Sequence, residues 1–96
     1  MTTKKQLDVR NYRVFTIRFL GPTDTRGARV KLIDYRHKTS KVIPYSYEHT
    51  TAISDAIVYL NSIGIKVVGK GGLNTREDVV FSNNFDIDIR NGKVLL

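Results

Sequence analysis

The sequence predicts an α+β fold: a small antiparallel sheet of about five to seven short strands, with one helix over about 50–63 packed on it. Three observations carry this. Runs rich in β-branched and aromatic residues at 12–20, 29–36 and 41–47 precede any helical periodicity. A single segment repeats apolar residues at helical spacing, namely Ile53, Ala56, Ile57, Leu60 and Ile63. Short strand-like runs follow it and end around Asn91-Gly92, a strong hairpin signal. The order along the chain is β-β-β-α-β-β-(β).

The first strand, "YRVFTIRFL" (12–20), stops at Gly21-Pro22. Arg13, Phe15, Ile17 and Phe19 share one face, and Tyr12, Val14, Thr16, Arg18 and Leu20 the other. Neither face is wholly polar, so this reads as a central strand with its second face partly covered. "GPTDTRGA" (21–28) is a loop. "RVKLIDYR" (29–36) and "KVIPYSY" (41–47) form a ribbon closed by "HKTS" (37–40). With that loop Arg36 faces Lys41. Val30, Leu32 and Asp34 then lie opposite Tyr47, Tyr45 and Ile43 on one side. Arg29, Lys31, Ile33 and Tyr35 lie opposite Glu48, Ser46, Pro44 and Val42 on the other. A one-residue slip would exchange the faces. Pro44 cannot donate to a ladder, which makes the third strand an edge or bulged.

Thr50 or Thr51 caps the helix. Asp55 suits the positive end of the helix dipole. Gly64 stands at the expected C′ position, with Ile65 placed to contact Leu60 in a Schellman arrangement. Val58 points away from the apolar stripe. "IKVV" (65–68) and "VVFS" (79–82) read as strands, "GKGGLNTRED" (69–78) as a loop, and "FDIDIRNGKVLL" (85–96) as a hairpin.

The chain has 96 residues, 41% of them hydrophobic, which is the composition of one globular domain over 11–96. Residues 1–10 show no periodicity and read as a flexible basic tail. They lack the apolar run of a signal peptide, and no stretch is apolar enough to span a membrane. Cysteine is absent, which excludes disulfides, thiolate metal sites and thiol nucleophiles and suits the cytoplasm.

Charge is the most informative bulk property. The net charge is +7. Residues 1–48 hold eleven Lys and Arg against four acids, and residues 49–96 hold five against five, so the excess sits in the first half. Such asymmetry points to nucleic acid or another anionic surface. Arg29, Lys31 and Tyr35 project from one face of the ribbon, with Ile33 among them. Arg26 sits on the adjoining loop, and Arg36, Lys38 and Lys41 crowd the hairpin tip. Arg18 extends the patch if its face is the open one; otherwise Arg13 does. Lys70, within "GKGG" (69–72), adds a further phosphate contact. Cations interleaved with a flat ring suit single strands, since the cations neutralise phosphates and the ring stacks on bases. The plainer reading is an edge ribbon kept soluble by its charges. Edge protection usually mixes signs, whereas Arg26–Lys41 holds six cations and one acid, Asp34.

Nothing resembles a catalytic site. His37 and His49 lack metal-ligand spacing and read as loop histidines. Asp86 and Asp88 alternate with Phe85, Ile87 and Ile89, as on a strand with one wet acidic face. Asp34 reads as a local partner of Arg36 and Lys41. "GKGG" lacks the phosphate-loop pattern. There is no βαββαβ order or R-G-F-x-F segment of an RNA-recognition motif. The order strand, strand, strand, helix, strand, strand resembles an OB-type barrel, in which a helix lies between strands three and four. The expectation is a small non-enzymatic nucleic-acid-binding protein without cofactor or metal. Single-stranded DNA or RNA leads over duplex, and an accessory subunit of a nucleic-acid enzyme is a fitting role. The competing expectation is a protein-interaction module or inhibitor that docks an acidic partner.

Overall fold

The computed structural model describes residues 11–46 and 51–95. The predicted tail at 1–10, the alternative cap Thr50, His49, and the partners Tyr47 and Glu48 lie outside the described residues. The elements run β1 (Arg13–Leu20), β2 (Arg29–Asp34), β3 (Thr39–Pro44), α1 (Ala52–Ser62), β4 (Val67–Gly72) and β5 (Glu77–Ser82). The strands form one sheet in the order β3-β2-β1-β5-β4, and every pairing is antiparallel. The fold is α+β as predicted. The sheet does not close into an OB-type barrel, because β3 and β4 remain as its two edges and do not pair with each other.

β1 is the central strand. Its Phe15 and Ile17 face the helix and join Val30, Leu32, Val80, Ile53, Ala56, Leu60, Ile65 and Ile89 in the core. All of these are nearly or fully enclosed. The helix begins at Thr51, whose Oγ1 accepts the amide of Ser54 at 3.2 Å. It ends in the Schellman arrangement: Gly64 has φ 96°, its amide bonds to the Asn61 carbonyl, and the Ile65 amide bonds to the Leu60 carbonyl. Asp55 is buried, and its Oδ2 accepts the Ser46 amide at 2.7 Å, so it ties the helix to the end of β3. Among the described residues no helix is long and apolar enough to cross a membrane.

The β2–β3 ribbon departs from the predicted register. Val30 pairs with Ile43, Leu32 with Lys41 and Asp34 with Thr39, each partner four residues earlier than the 37–40 loop implies. The cause is Asp34. Its Oδ1 accepts the amides of Arg36 and His37, so the chain turns at once over 35–38, with Lys38 in the left-handed region at φ 55°. An even shift leaves the side-chain faces unchanged. Val30, Leu32 and Asp34 still point inward, and Arg29, Lys31 and Ile33 outward. Pro44 ends edge strand β3.

The second half of the chain differs more. β4 continues through Gly69–Gly72, predicted to be loop, because these residues pair with Asp78–Phe81 of β5. The loop shrinks to 73–76 and is organised by Asn74, whose Oδ1 accepts the amides of Arg76 and Glu77. The predicted C-terminal hairpin reduces to one bridge, Ile87 to Val94, around a turn with Gly92 at φ 74°. Consecutive Asp88 and Ile89 are both buried, which breaks strand alternation and removes the expected wet acidic face. Asp88 holds the Arg90 guanidinium through both carboxylate oxygens and accepts the Arg90 amide. The side-chain bond from Arg90 chiefly depresses the Asp88 pKa to about 2. A depressed carboxylate stabilises the fold above its unfolded pKa of about 4, and that support is lost as pH falls toward the folded value. Urea midpoints measured from about pH 6 down to pH 2 should therefore fall more steeply for the wild type than for Asp88→Asn. Parallel curves would refute this role.

Candidate nucleic-acid interface

The helix covers one face of the sheet, touching β1, β2, β5 and β4. Among the described residues the opposite face carries no helix, and cross-strand pairing arranges it in rows. One row runs Glu77, Arg18, Lys31, Val42 across β5, β1, β2 and β3. Leu20, Arg29 and Pro44 form the row beside it, and Val79, Thr16, Ile33 and Ser40 the row on the other side. Arg18, Arg29 and Lys31 thus share one end of the open face. A concavity of about 380 Å³ lies on the turn side of Arg18 and Lys31, bounded by these two and by Ile33, Tyr35, Lys38 and Ser40 among others.

The predicted site residues separate into groups. Tyr35 opens the turn and is 66% exposed, free of any core role. Lys38 and Arg26 are exposed, on the turn and on the loop before β2. Arg18 lies on the open face, but Glu77 accepts its Nη2 and Nε at 2.6 and 2.9 Å. That bond raises the Arg18 pKa. The Glu77 pKa is lowered by its bonds from Asn74 and Arg18. Much of the Arg18 charge is therefore answered within the protein. Arg36 stands over the Phe85 ring, 4.8 Å from its centroid. Lys41 pairs opposite Leu32 on the helix-bearing face, its Nζ 6.0 Å from the Tyr59 ring centroid. Lys70 lies on β4, the edge farthest from β3, opposite buried Val80. The open face thus brings Arg18 and Lys31 to one concavity with Tyr35 and Lys38, sets Arg29 beside Lys31 at the end of β2 away from the turn, and leaves Lys41 and Lys70 elsewhere.

Behind the turn is a buried polar group that sequence reading missed. Arg13 is on the helix side and buried, which answers the choice between Arg13 and Arg18. Its Nη2 donates to Asp34 Oδ2 at 2.7 Å and its Nη1 to the Ile87 carbonyl at 2.6 Å. His37 Nδ1 lies 2.9 Å from the same Asp34 oxygen. Asp34 is therefore not the partner of Arg36 and Lys41 side chains that its neighbours in sequence suggest. Burial acts to raise the Asp34 pKa, but the bonds from Arg13 and His37 outweigh it and hold it below the usual carboxylate range. The only sequence signal was an arginine among apolar residues on the inward face of β1; its partner is 21 positions away.

No protein family, characterised sequence or solved structure matches this chain. Among the described residues no group of three or more His, Asp or Glu is placed to hold a metal ion. What the open face offers is cationic side chains on paired strands, whose spacing is set by the ladder, bordered by an exposed phenol ring at the turn. Paired strands hold the attachment points of these side chains at fixed separations, while the long cationic side chains themselves are ordered only on binding.

Proposed function

We propose that the chain is a small non-enzymatic protein that binds single-stranded DNA or RNA on the sheet face opposite the helix, as an accessory to an enzyme of nucleic-acid metabolism. The observation that carries this reading is the grouping of Lys31 with exposed Tyr35 and Lys38 around one concavity, with Arg29 two residues before Lys31 on the same face. Arg29, Lys31, Lys38 and Arg26 neutralise phosphates, and Tyr35 stacks on a base. Arg18 contributes less because Glu77 already holds it.

A labelled single-stranded oligonucleotide titrated across a salt series tests this. Four phosphate contacts at about 0.7 each give a slope of log K against log salt of roughly −3. Lys31→Ala with Arg29→Ala should flatten that slope by about 1.4, and Tyr35→Ala should weaken binding by about 1–3 kcal/mol with the slope nearly kept. Absence of binding near ~50 mM salt would remove the nucleic-acid reading. A second reading has its own support: Val14, Val42 and Val68 are 41–44% exposed. Exposed apolar residues on a basic protein also suit docking of an acidic protein partner.

A further inference from the structure

The open face has a second half that the basic rows do not occupy. Toward the start of β1 it carries Val14 directly opposite Phe81, and Tyr12 stands two residues further along the same side. Val14 and Tyr12 are 41% and 36% exposed. The Tyr12 and Phe81 ring centroids are 6.1 Å apart with planes tilted by 49°. Beyond Phe81 the neighbouring position on β4 is Gly69, and beyond Val79 it is Gly71. A Cβ at Gly69 would come within 3.3 Å of Phe81 Cδ2, so the ring is seated against bare backbone. At Gly69 and Gly71 edge strand β4 thus places no side chain beyond Phe81 and Val79, while Val68, at the register shift just before Gly69, is 44% exposed. Glycine inside a strand weakens it and commonly marks the close approach of a ligand or another backbone.

Polarity is divided along this face. Rings and Val14 lie at one end and Arg29 and Lys31 at the other, separated by the row of Val79, Thr16 and Ile33. An unpaired nucleic-acid strand running along β1 offers both partners in successive nucleotides, anionic phosphates to the cations and exposed flat bases to the rings. A duplex keeps its bases stacked inside and would gain nothing from the rings.

We propose that Tyr12 and Phe81 form a base-stacking surface for the same single strand whose phosphates lie against Arg29 and Lys31. This rests on the nucleic-acid reading and extends the contact from the hairpin turn across the sheet to its β4 border. The two can fail separately.

The test measures anisotropy of a labelled oligothymidylate and of an abasic oligonucleotide of equal length, with the wild type, Tyr12→Leu and Tyr12→Phe. Leucine keeps apolar contact with Phe81 but has no ring; phenylalanine keeps the ring. The wild type should prefer oligothymidylate. Tyr12→Leu should lower that affinity about 5- to 150-fold, equivalent to about 1–3 kcal/mol for one stacked base, and leave abasic binding unchanged. Tyr12→Phe should bind as the wild type does. If the wild type binds neither oligonucleotide, the nucleic-acid reading falls and this inference with it. If it binds both equally, or if Tyr12→Leu changes both affinities alike or neither, the phosphate contacts stand and the stacking surface is overturned.

Discussion

Asp34→Ala should lose about 3–5 kcal/mol of folding stability in urea denaturation, the cost of stranding one member of a buried ion pair. Both side chains of the Arg13–Asp34 pair are fully enclosed, and their atoms are 2.7 Å apart. Without Asp34 the Arg13 guanidinium keeps carbonyl contacts to Ile87 and Asn84 but loses its counter-charge. Asp34 also starts the β2–β3 turn, so alanine removes both the pair and the turn bonds. Asp34→Asn separates these roles, because an amide oxygen can still accept the Arg36 and His37 amides. It should cost less than alanine. Arg13→Met combined with Asp34→Leu leaves no unpaired charge and should be closer to wild type than either single change. A loss below about 1 kcal/mol for Asp34→Ala would show that the pair does not hold the ribbon. The pH dependence follows the same sign as Asp88: the lowered Asp34 pKa supports the fold above the ordinary carboxylate range, and the support is lost in acid.

Leu60→Ala should cost about 2–5 kcal/mol through the lost burial and the cavity left behind. Leu60 is fully enclosed at the centre of the helix stripe, whereas Val58, two residues away, is 52% exposed. Val58→Ala should therefore stay within about 0.5 kcal/mol of wild type. In a domain of ordinary stability, about 5–15 kcal/mol, the first change lowers the melting temperature clearly and the second hardly at all. Equal melting temperatures would refute the facing of the helix.

The helix was legible because each signal for it is local. Thr51, the Ile53–Ala56–Leu60 stripe and Gly64 lie within one or two turns of the contacts they make. The inward direction of Val30 and Leu32 was legible for the same reason, since alternation along a strand needs no knowledge of the partner. The β2–β3 register was not. Loops at 35–38 and 37–40 are equally acceptable as turns, and the choice was made by the bonds of one carboxylate to two amides. β4 ran through glycines that weaken strands locally, because a ladder with β5 was available to them.

The open face divides in the same way. That Arg29, Lys31 and Tyr35 alternate with buried residues is a property of the sequence by itself. Which cations share a face with them is not. Arg18 was brought to their side and answered by Glu77, Arg13 was buried against Asp34, Lys41 was placed opposite Leu32, and Lys70 went to the far edge. The sequence by itself determined the α+β class, the helix and the period-two faces, because these rest on interactions a few residues long. Only the tertiary structure decided the open sheet, the register and the members of the basic face. Those depend on hydrogen-bond and ion-pair partners tens of residues apart, whose pairing energy exists only once the strands lie side by side.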